Sequence, residues 1–430
     1  MSESSKGSLK STITVAMSNF LEAGSIVAGA GGLSLWVNYL HLSDYKVGLL
    51  GALSANGFGA AVGALIGGAL VDKYGRKFIY KYDLIVYMLG VLLIACSFNF
   101  PMLLIGYVIT GIAVGAGIPA AWTYIAEEAP DGERAARVGW GQLAWSVGPA
   151  IALFLSVFLA PLNLLGSRII FLLLFVIALI TWIMQQQINE SKIWSEEKAR
   201  EQAGKLKGNV ESSGIKELFT VKANLKALVL LVGIYFFWNL VSGTMGYFMP
   251  FIYETVGGLS AAQANLLQGT LWIFTVLSTY IIFIKLGDKV NRKLLFSIGA
   301  IMGVAAWAVL VFGGMGITEL WLFVFLWGVA AGFGAQAFYG LWSSELFHTR
   351  YRAKAQGFMF FLVRIGVGLI SLVVPVMISQ LGFKTSGLIM IGFLVLHFII
   401  GVLMAPETRG KSLKNIQQER YGMDAAGIEN

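Results

Sequence analysis

Glu22, Asn239 and Arg364 stand inside long apolar runs of the sequence. Such side chains are costly in lipid and face either a cavity or a partner. Glu22 offers a carboxyl that can take up and release a proton if its surroundings alternate between wet and dry. Its plainer role is to hold helix packing or to bond a solute. Arg364, within Val363-Arg364-Ile365-Gly366, needs an anion from the protein or from a solute. One reading makes it a ligand for a carboxylate, phosphate or sulfonate. The other makes it a structural ion pair, or a guanidinium snorkelling to the membrane edge.

Amide–aromatic pairs come next. Gln142 and Trp145 are spaced i, i+3, Gln268 and Trp272 i, i+4, and Gln336 and Tyr339 i, i+3. On a helix that spacing puts both side chains of a pair on one face. Amides donate to and accept from hydroxyls, and flat rings lie against C–H faces, so these pairs suit a polyhydroxylated solute. The plainer account is that Trp and Tyr gather at membrane interfaces. One or two glutamines are also explained by interhelical hydrogen bonds.

A third group of charges repeats along the chain. Asp72-Lys73-Tyr74-Gly75-Arg76-Lys77 returns as Asp288-Lys289-Val290-Asn291-Arg292-Lys293, 216 residues on. Glu127 with Arg134 returns as Glu345 with Arg352, 218 on, and Glu190 returns as Glu407, 217 on. Glu22 and Asn239 are themselves 217 apart. Signatures recurring at one spacing mean two copies of one fold, and such repeats commonly form a solute site at their interface near the bilayer midplane.

Composition sets what must position these residues. The chain has 430 residues, 57% apolar and 13% charged, with a mean hydropathy of +0.75. Soluble domains average about 45–50% apolar and about 25% charged. The apolar runs are continuous rather than alternating, so the spans are helices and not the strands of a barrel. They fall near residues 12–36, 48–71, 82–99, 101–126, 138–161, 167–187, 226–253, 261–284, 294–314, 319–344, 355–379 and 383–404. The first run has no small-residue cleavage site and is long enough to stay in the membrane. The expected fold is an all-α membrane protein, twelve transmembrane helices in two pseudo-symmetric six-helix bundles. Its parts are an N-terminal bundle (1–187), a cytoplasmic linker (188–225, partly helical), a C-terminal bundle (226–404) and a cytoplasmic tail (405–430). The net charge of +8 records topology: apart from Arg364 within a span, only Lys46, Arg168 and Lys384 fall at the outer side. The positive-inside rule then puts both termini in the cytoplasm. The single cysteine, Cys96, excludes an intramolecular disulfide and is expected to pack within its span.

The motifs resemble those of the major facilitator superfamily, and within it the sugar porters and related metabolite–proton symporters. Gly68 to Lys77 resembles the superfamily's loop between spans two and three. Tyr124-Ile125-Ala126-Glu127-Glu128-Ala129-Pro130 with Arg134, Glu345-Leu346-Phe347 with Arg352, and Pro406 to Leu413 resemble the sugar porter signatures. The resemblance implies that Glu22 occupies the acidic position of proton-coupled porters and Gln142 that of a sugar-binding glutamine. It also implies that Asp72, Arg76, Glu127, Arg134, Glu190, Asp288, Arg292, Glu345, Arg352 and Glu407 latch the cytoplasmic mouth, and that the protein works as a monomer. The chain departs from the family at Tyr107, where sugar porters carry arginine, and at His348, where they carry proline. It departs again at Asn239-Leu240 and Met245 in span seven and along Gln336 to Gly340 in span ten.

The expected function is secondary active transport by alternating access. A monosaccharide, polyol or sugar derivative enters with a proton across a plasma membrane, the bacterial inner membrane. Glu22 carries the proton, and Gln142, Trp145, Asn239, Gln268, Trp272, Gln336, Tyr339 and Arg364 meet the solute. The alternatives are a symporter for a small organic or sugar acid gripped by Arg364, an uncoupled facilitator, and a nutrient sensor that binds without transport. No phosphate-binding Lys loop, HExxH or Cys–His cluster is present, and His41, His348 and His397 are scattered. The protein is therefore expected to be no enzyme, with no cofactor, no metal and no nucleic-acid partner. Its partners are a small polar solute, protons and the lipid bilayer.

Overall fold

The computed structural model describes residues 3–129, 134–191, 194–196, 198–199 and 217–421; the side chains of residues 3–10, 72, 126, 134, 349–351, 353 and 414 lie outside that description. Asp72 and Arg134, as latch side chains, are thus outside the described residues, as is most of the 188–225 linker.

Among the described residues the fold is helical throughout. Six helices long and apolar enough to cross a bilayer occupy Ser11–Gly31, Asp44–Val71, Arg76–Ala95, Phe100–Ile125, Ala135–Phe158 and Leu164–Gln185. Five more occupy Lys222–Thr255, Ala261–Ile284, Arg292–Gly313, Ile317–Glu345 and Lys354–Met404. The last has 51 residues, about 77 Å if straight at ~1.5 Å per residue. That is more than twice the ~30 Å hydrocarbon core. The chain turns at Gly382, whose φ of 78° and ψ of 162° end one helix and begin another. Only glycine enters that region at no steric cost. Twelve spans result, in two sets of six. They are numbered below in chain order, with spans eleven and twelve before and after Gly382.

Small residues let the helices approach closely. A Cβ added to Gly115 of span four would stand 2.8 Å from Ala60 Cα of span two, and one on Gly67 would stand 2.9 Å from the Ala116 carbonyl carbon. Backbone contact of this kind is how helices associate where lipid supplies no hydrophobic drive.

Two spans are interrupted where the site lies. Span two breaks at Ser54 to Gly57, between helices Asp44–Leu53 and Phe58–Tyr74. There Ser54 Oγ accepts from the Asn56 amide at 3.1 Å and donates to Gly51 O at 2.9 Å. The hydroxyl stands in for the helical acceptor of the Asn56 amide. Span ten breaks at Gly334, between Ile317–Phe333 and Ala335–Glu345, so Gln336 sits in the first turn of the second segment. Irregular backbone at membrane depth is tolerated where it is buried or lines a cavity. One expectation fails: Cys96 is exposed. It is the residue that ends helix Arg76–Ala95, so it lies past the packed part of the span.

Candidate functional site

Glu22 and Arg364 meet at the centre. Arg364 Nη2 donates to Glu22 Oε1 at 2.7 Å, and both side chains are almost fully buried. Trp145 Nε1 donates to the other carboxylate oxygen at 3.1 Å. Arg364 Nη1 reaches the Asn56 carbonyl at 3.3 Å and its Oδ1 at 3.4 Å. Asn56 Nδ2 in turn donates to Gly243 O at 2.8 Å. The guanidinium also lies 4.6 Å from the Phe360 ring centre. Spans one, two and five are thereby tied to spans seven and eleven by one charge-assisted network. Such hydrogen bonds are the short, strong ones.

Around this network lies a central cavity in two compartments. One is bordered by Gln142, Gln268, Met245 and Thr275. The other is bordered by Asn56, Tyr235, Asn239 and Arg364. Trp145, Trp238, Trp272 and Gln336 border both. Trp145 and Trp272 cross edge to face, centroids 5.3 Å apart. Gln268 Oε1 and Trp272 Nε1 are buried with no hydrogen-bond partner among the described residues. Buried polar atoms are rarely left so; here one acceptor and one donor border an internal space. Among the described residues Arg364 is the one charged residue in either wall, and it is paired with Glu22.

The two halves meet at both ends of the cavity. At the end carrying the repeated charges, Thr123 Oγ1 donates to Gln356 Oε1 at 2.8 Å, and the Ala136 amide donates to Asp288 Oδ2 at 3.3 Å. Arg352 Nη1 stands 3.9 Å from Glu127 Oε1. At the opposite end Asn265 Nδ2 donates to Gly31 O at 3.0 Å, and a Cβ on Gly48 would stand 2.8 Å from Leu372 O. Each of these contacts joins the first six spans to the last six.

The repeated charges form two matching clusters. Arg76 Nη2 binds Glu127 Oε1 at 2.7 Å, and Ser191 Oγ donates to Glu127 Oε2 at 2.7 Å. In the other half Arg292 Nη1 binds Glu345 Oε2 at 2.9 Å, and Thr408 Oγ1 donates to that oxygen at 2.7 Å. Glu190 accepts from the Arg76 and Lys77 amides at 3.0 and 2.9 Å, and Glu407 accepts from the Arg292 amide at 3.0 Å. Each carboxylate caps a helix N-terminus, where free amides and the helix dipole favour negative charge. Asp288 adds a 2.9 Å pair with Arg292.

Seven of the eight residues expected to meet the solute border the cavity. Tyr339 does not. Its ring stacks on Tyr235 at 4.0 Å and meets Trp122 edge-on at 5.5 Å, so it backs the wall instead of forming it. Trp122 lies 217 residues before Tyr339, the same interval as Glu22 and Asn239. Residues that sequence reasoning passed over are Asn56, Tyr235 and Ser242 in the second compartment, and Asp83. Asp83 is buried in span three with Leu84 N on its Oδ1 at 2.7 Å, and its other oxygen faces Gly117 of span four.

Comparison with known proteins agrees with this architecture. Residues 38–419 match the family model described as Sugar (and other) transporter. The chain is 49% identical over 420 residues to the minor myo-inositol transporter IolF of Bacillus subtilis, covering 98% of this chain and 96% of that one. It is 30% identical over 395 residues to the glucose transporter GlcP of Staphylococcus epidermidis, covering 84% and 86%. Among solved structures it resembles the proton:xylose symporter XylE bound to 6-bromo-6-deoxy-D-glucose, with a TM-score of 0.81, 19% identity and coverage of 96% and 99%. Against the inward-open conformation of XylE from E. coli the TM-score is 0.70, at 22% identity and coverage of 95% and 98%.

Proposed function

Because the chain belongs to the Sugar (and other) transporter family of the major facilitator superfamily, a family of multi-pass membrane transporters and not enzymes, we propose that it takes up a neutral cyclitol or hexose together with a proton by alternating access. The observation that carries the choice of a neutral solute is the wall of amides and indoles, Gln142, Gln268, Gln336, Trp145 and Trp272, with Arg364 paired to Glu22 in the state described. The myo-inositol and glucose transporters among the relatives support the same class.

Coupling follows from the pair. With Glu22 ionised, Arg364 is held across the two halves. With Glu22 protonated, that attraction is lost and the guanidinium turns to the Asn56 carbonyl and to solute hydroxyls, which accept without carrying charge. Proton and solute together thus loosen a bond that joins the halves. Gln142, Gln268 and Gln336 supply donors and acceptors to the remaining hydroxyls, and the Trp145–Trp272 pair offers faces to the ring. Arg352 beside Glu127 and the Ala136 amide on Asp288 cross between the halves and hold the inner mouth closed until bundles 1–187 and 226–404 rock apart, and the Arg76–Glu127 and Arg292–Asp288 pairs hold those two carboxylates in position. The excess of Lys and Arg at that end supports reading it, and both termini, as cytoplasmic in a bacterial inner membrane, and the resemblance to the superfamily supports a monomer.

Counterflow into proteoliposomes tests the solute class. Vesicles preloaded with myo-inositol or D-glucose should accumulate the labelled solute, and cis,cis-muconate should neither be taken up nor compete. Selective uptake of the dianion would overturn the reading.

A further inference from the structure

The waist between the two compartments is bordered by Trp145, Trp238, Ser242, Trp272, Gln336 and Gly246. Five of these carry side chains, and the three indoles stack or bond with neighbours. Gly246 carries none, and a Cβ built on it meets nothing within 4 Å. Other glycines of the same helix are different: a Cβ on Gly243 would stand 2.9 Å from Asn239 Oδ1, and one on Gly233 would stand 2.9 Å from Ile400 Cγ2. Neither packing nor backbone therefore explains the residue. Gly246 is not among the glycines with positive φ, and it sits inside the continuous helix Lys222–Thr255, where glycine is disfavoured relative to alanine.

We propose that Gly246 sets the size of the solute: its missing side chain is the space through which a six-carbon ring or ring substituent passes from the amide compartment toward Asn239 and Arg364. This rests on the transport reading above and deepens it by naming the position that measures the substrate. A methyl group at Gly246 would occupy cavity space and displace solute atoms, leaving every protein contact in place. Its effect should then fall on large solutes and spare small ones.

Tryptophan fluorescence titration of the purified protein reads this directly, since three indoles border the waist. The probes are myo-inositol, D-glucose and D-xylose, the last being D-glucose without its hydroxymethyl group. Gly246→Ala should weaken D-glucose and myo-inositol by about tenfold, the scale of one methylene misfit in a pocket, and D-xylose by less than about twofold. Gly246→Val should widen the gap. The ligand-free melting temperature of Gly246→Ala should stay level or rise, whereas a glycine needed for packing would make it fall. Wild-type protein that binds none of the three contradicts the transport reading and this inference with it. Wild-type binding with equal loss for all three in the variants, or with no loss, contradicts only the assignment of Gly246.

Discussion

Glu22 and Arg364 lie 342 positions apart in sequence and 2.7 Å apart in space, and their bond joins the first helix of one half to the fifth helix of the other. Removing one member of a buried ion pair costs about 3–5 kcal/mol, because the survivor is left charged and unpaired. Arg364→Gln and Glu22→Gln should each lower the melting temperature clearly. The double variant should recover most of the loss without recovering concentrative uptake. Thermal unfolding of the three purified proteins checks this; a double variant that is the sum of the singles would show that the two groups do not interact.

Gln268 Oε1 has no partner among the described residues, which leaves it available to a solute. Gln268→Leu should leave the ligand-free protein as stable as wild type or more so. It should weaken solute binding by about 5- to 150-fold, matching about 1–3 kcal/mol for a lost buried hydrogen bond. Paired melting and binding measurements on one preparation separate the two effects.

Glu127 is reached by Arg76, Ser191 and, at 3.9 Å, Arg352 of the other half. Glu127→Gln should shift the population toward a state open at that end. Val138 and Gly340 face each other across the same mouth, a Gly340 Cβ standing 3.3 Å from Val138 Cγ1. A Val138→Cys/Gly340→Cys pair in a Cys96→Ser background should cross-link readily, and the yield should drop several-fold once Glu127→Gln is added. An unchanged yield would deny the cluster a role in closure.

Cys96 is the chain's single cysteine and it is exposed, at the end of span three away from Arg76. A membrane-impermeant maleimide added to intact cells should label it, and Cys96→Ser should abolish labelling. Labelling only after the cells are opened would reverse the proposed orientation.

Much of this was legible in the sequence, and the failures have physical causes. The helices and the duplication followed from continuous apolar runs and from charges returning at one interval, because both are local patterns. The partner of Arg364 was not legible. Helical spacing tells which face a residue occupies, not which helix that face meets, and the pairing depends on how the halves dock. Tyr339 shows the same limit: it shares a face with Gln336 yet stacks on Tyr235. Asn56 was missed because Ser54-Ala55-Asn56-Gly57 reads as a run of small residues within an apolar stretch; a serine two before an asparagine and then glycine was the available sign of a break. Asp83 was hidden by a boundary. Sequence reasoning began span three near residue 82, but the helix begins at Arg76, which places the carboxyl about two turns inside.

Solute-driven proton movement into proteoliposomes, followed with a pH-sensitive dye for wild type, Glu22→Gln and Asp83→Asn, tests the central claim most directly. Adding myo-inositol or D-glucose should alkalinise the exterior with wild type and with Asp83→Asn, and should give no signal with Glu22→Gln, which should still exchange labelled solute. Wild-type uptake should rise as external pH falls, and exchange by Glu22→Gln should be flat with pH. Proton influx that survives in Glu22→Gln, or vanishes in Asp83→Asn alone, would contradict the account.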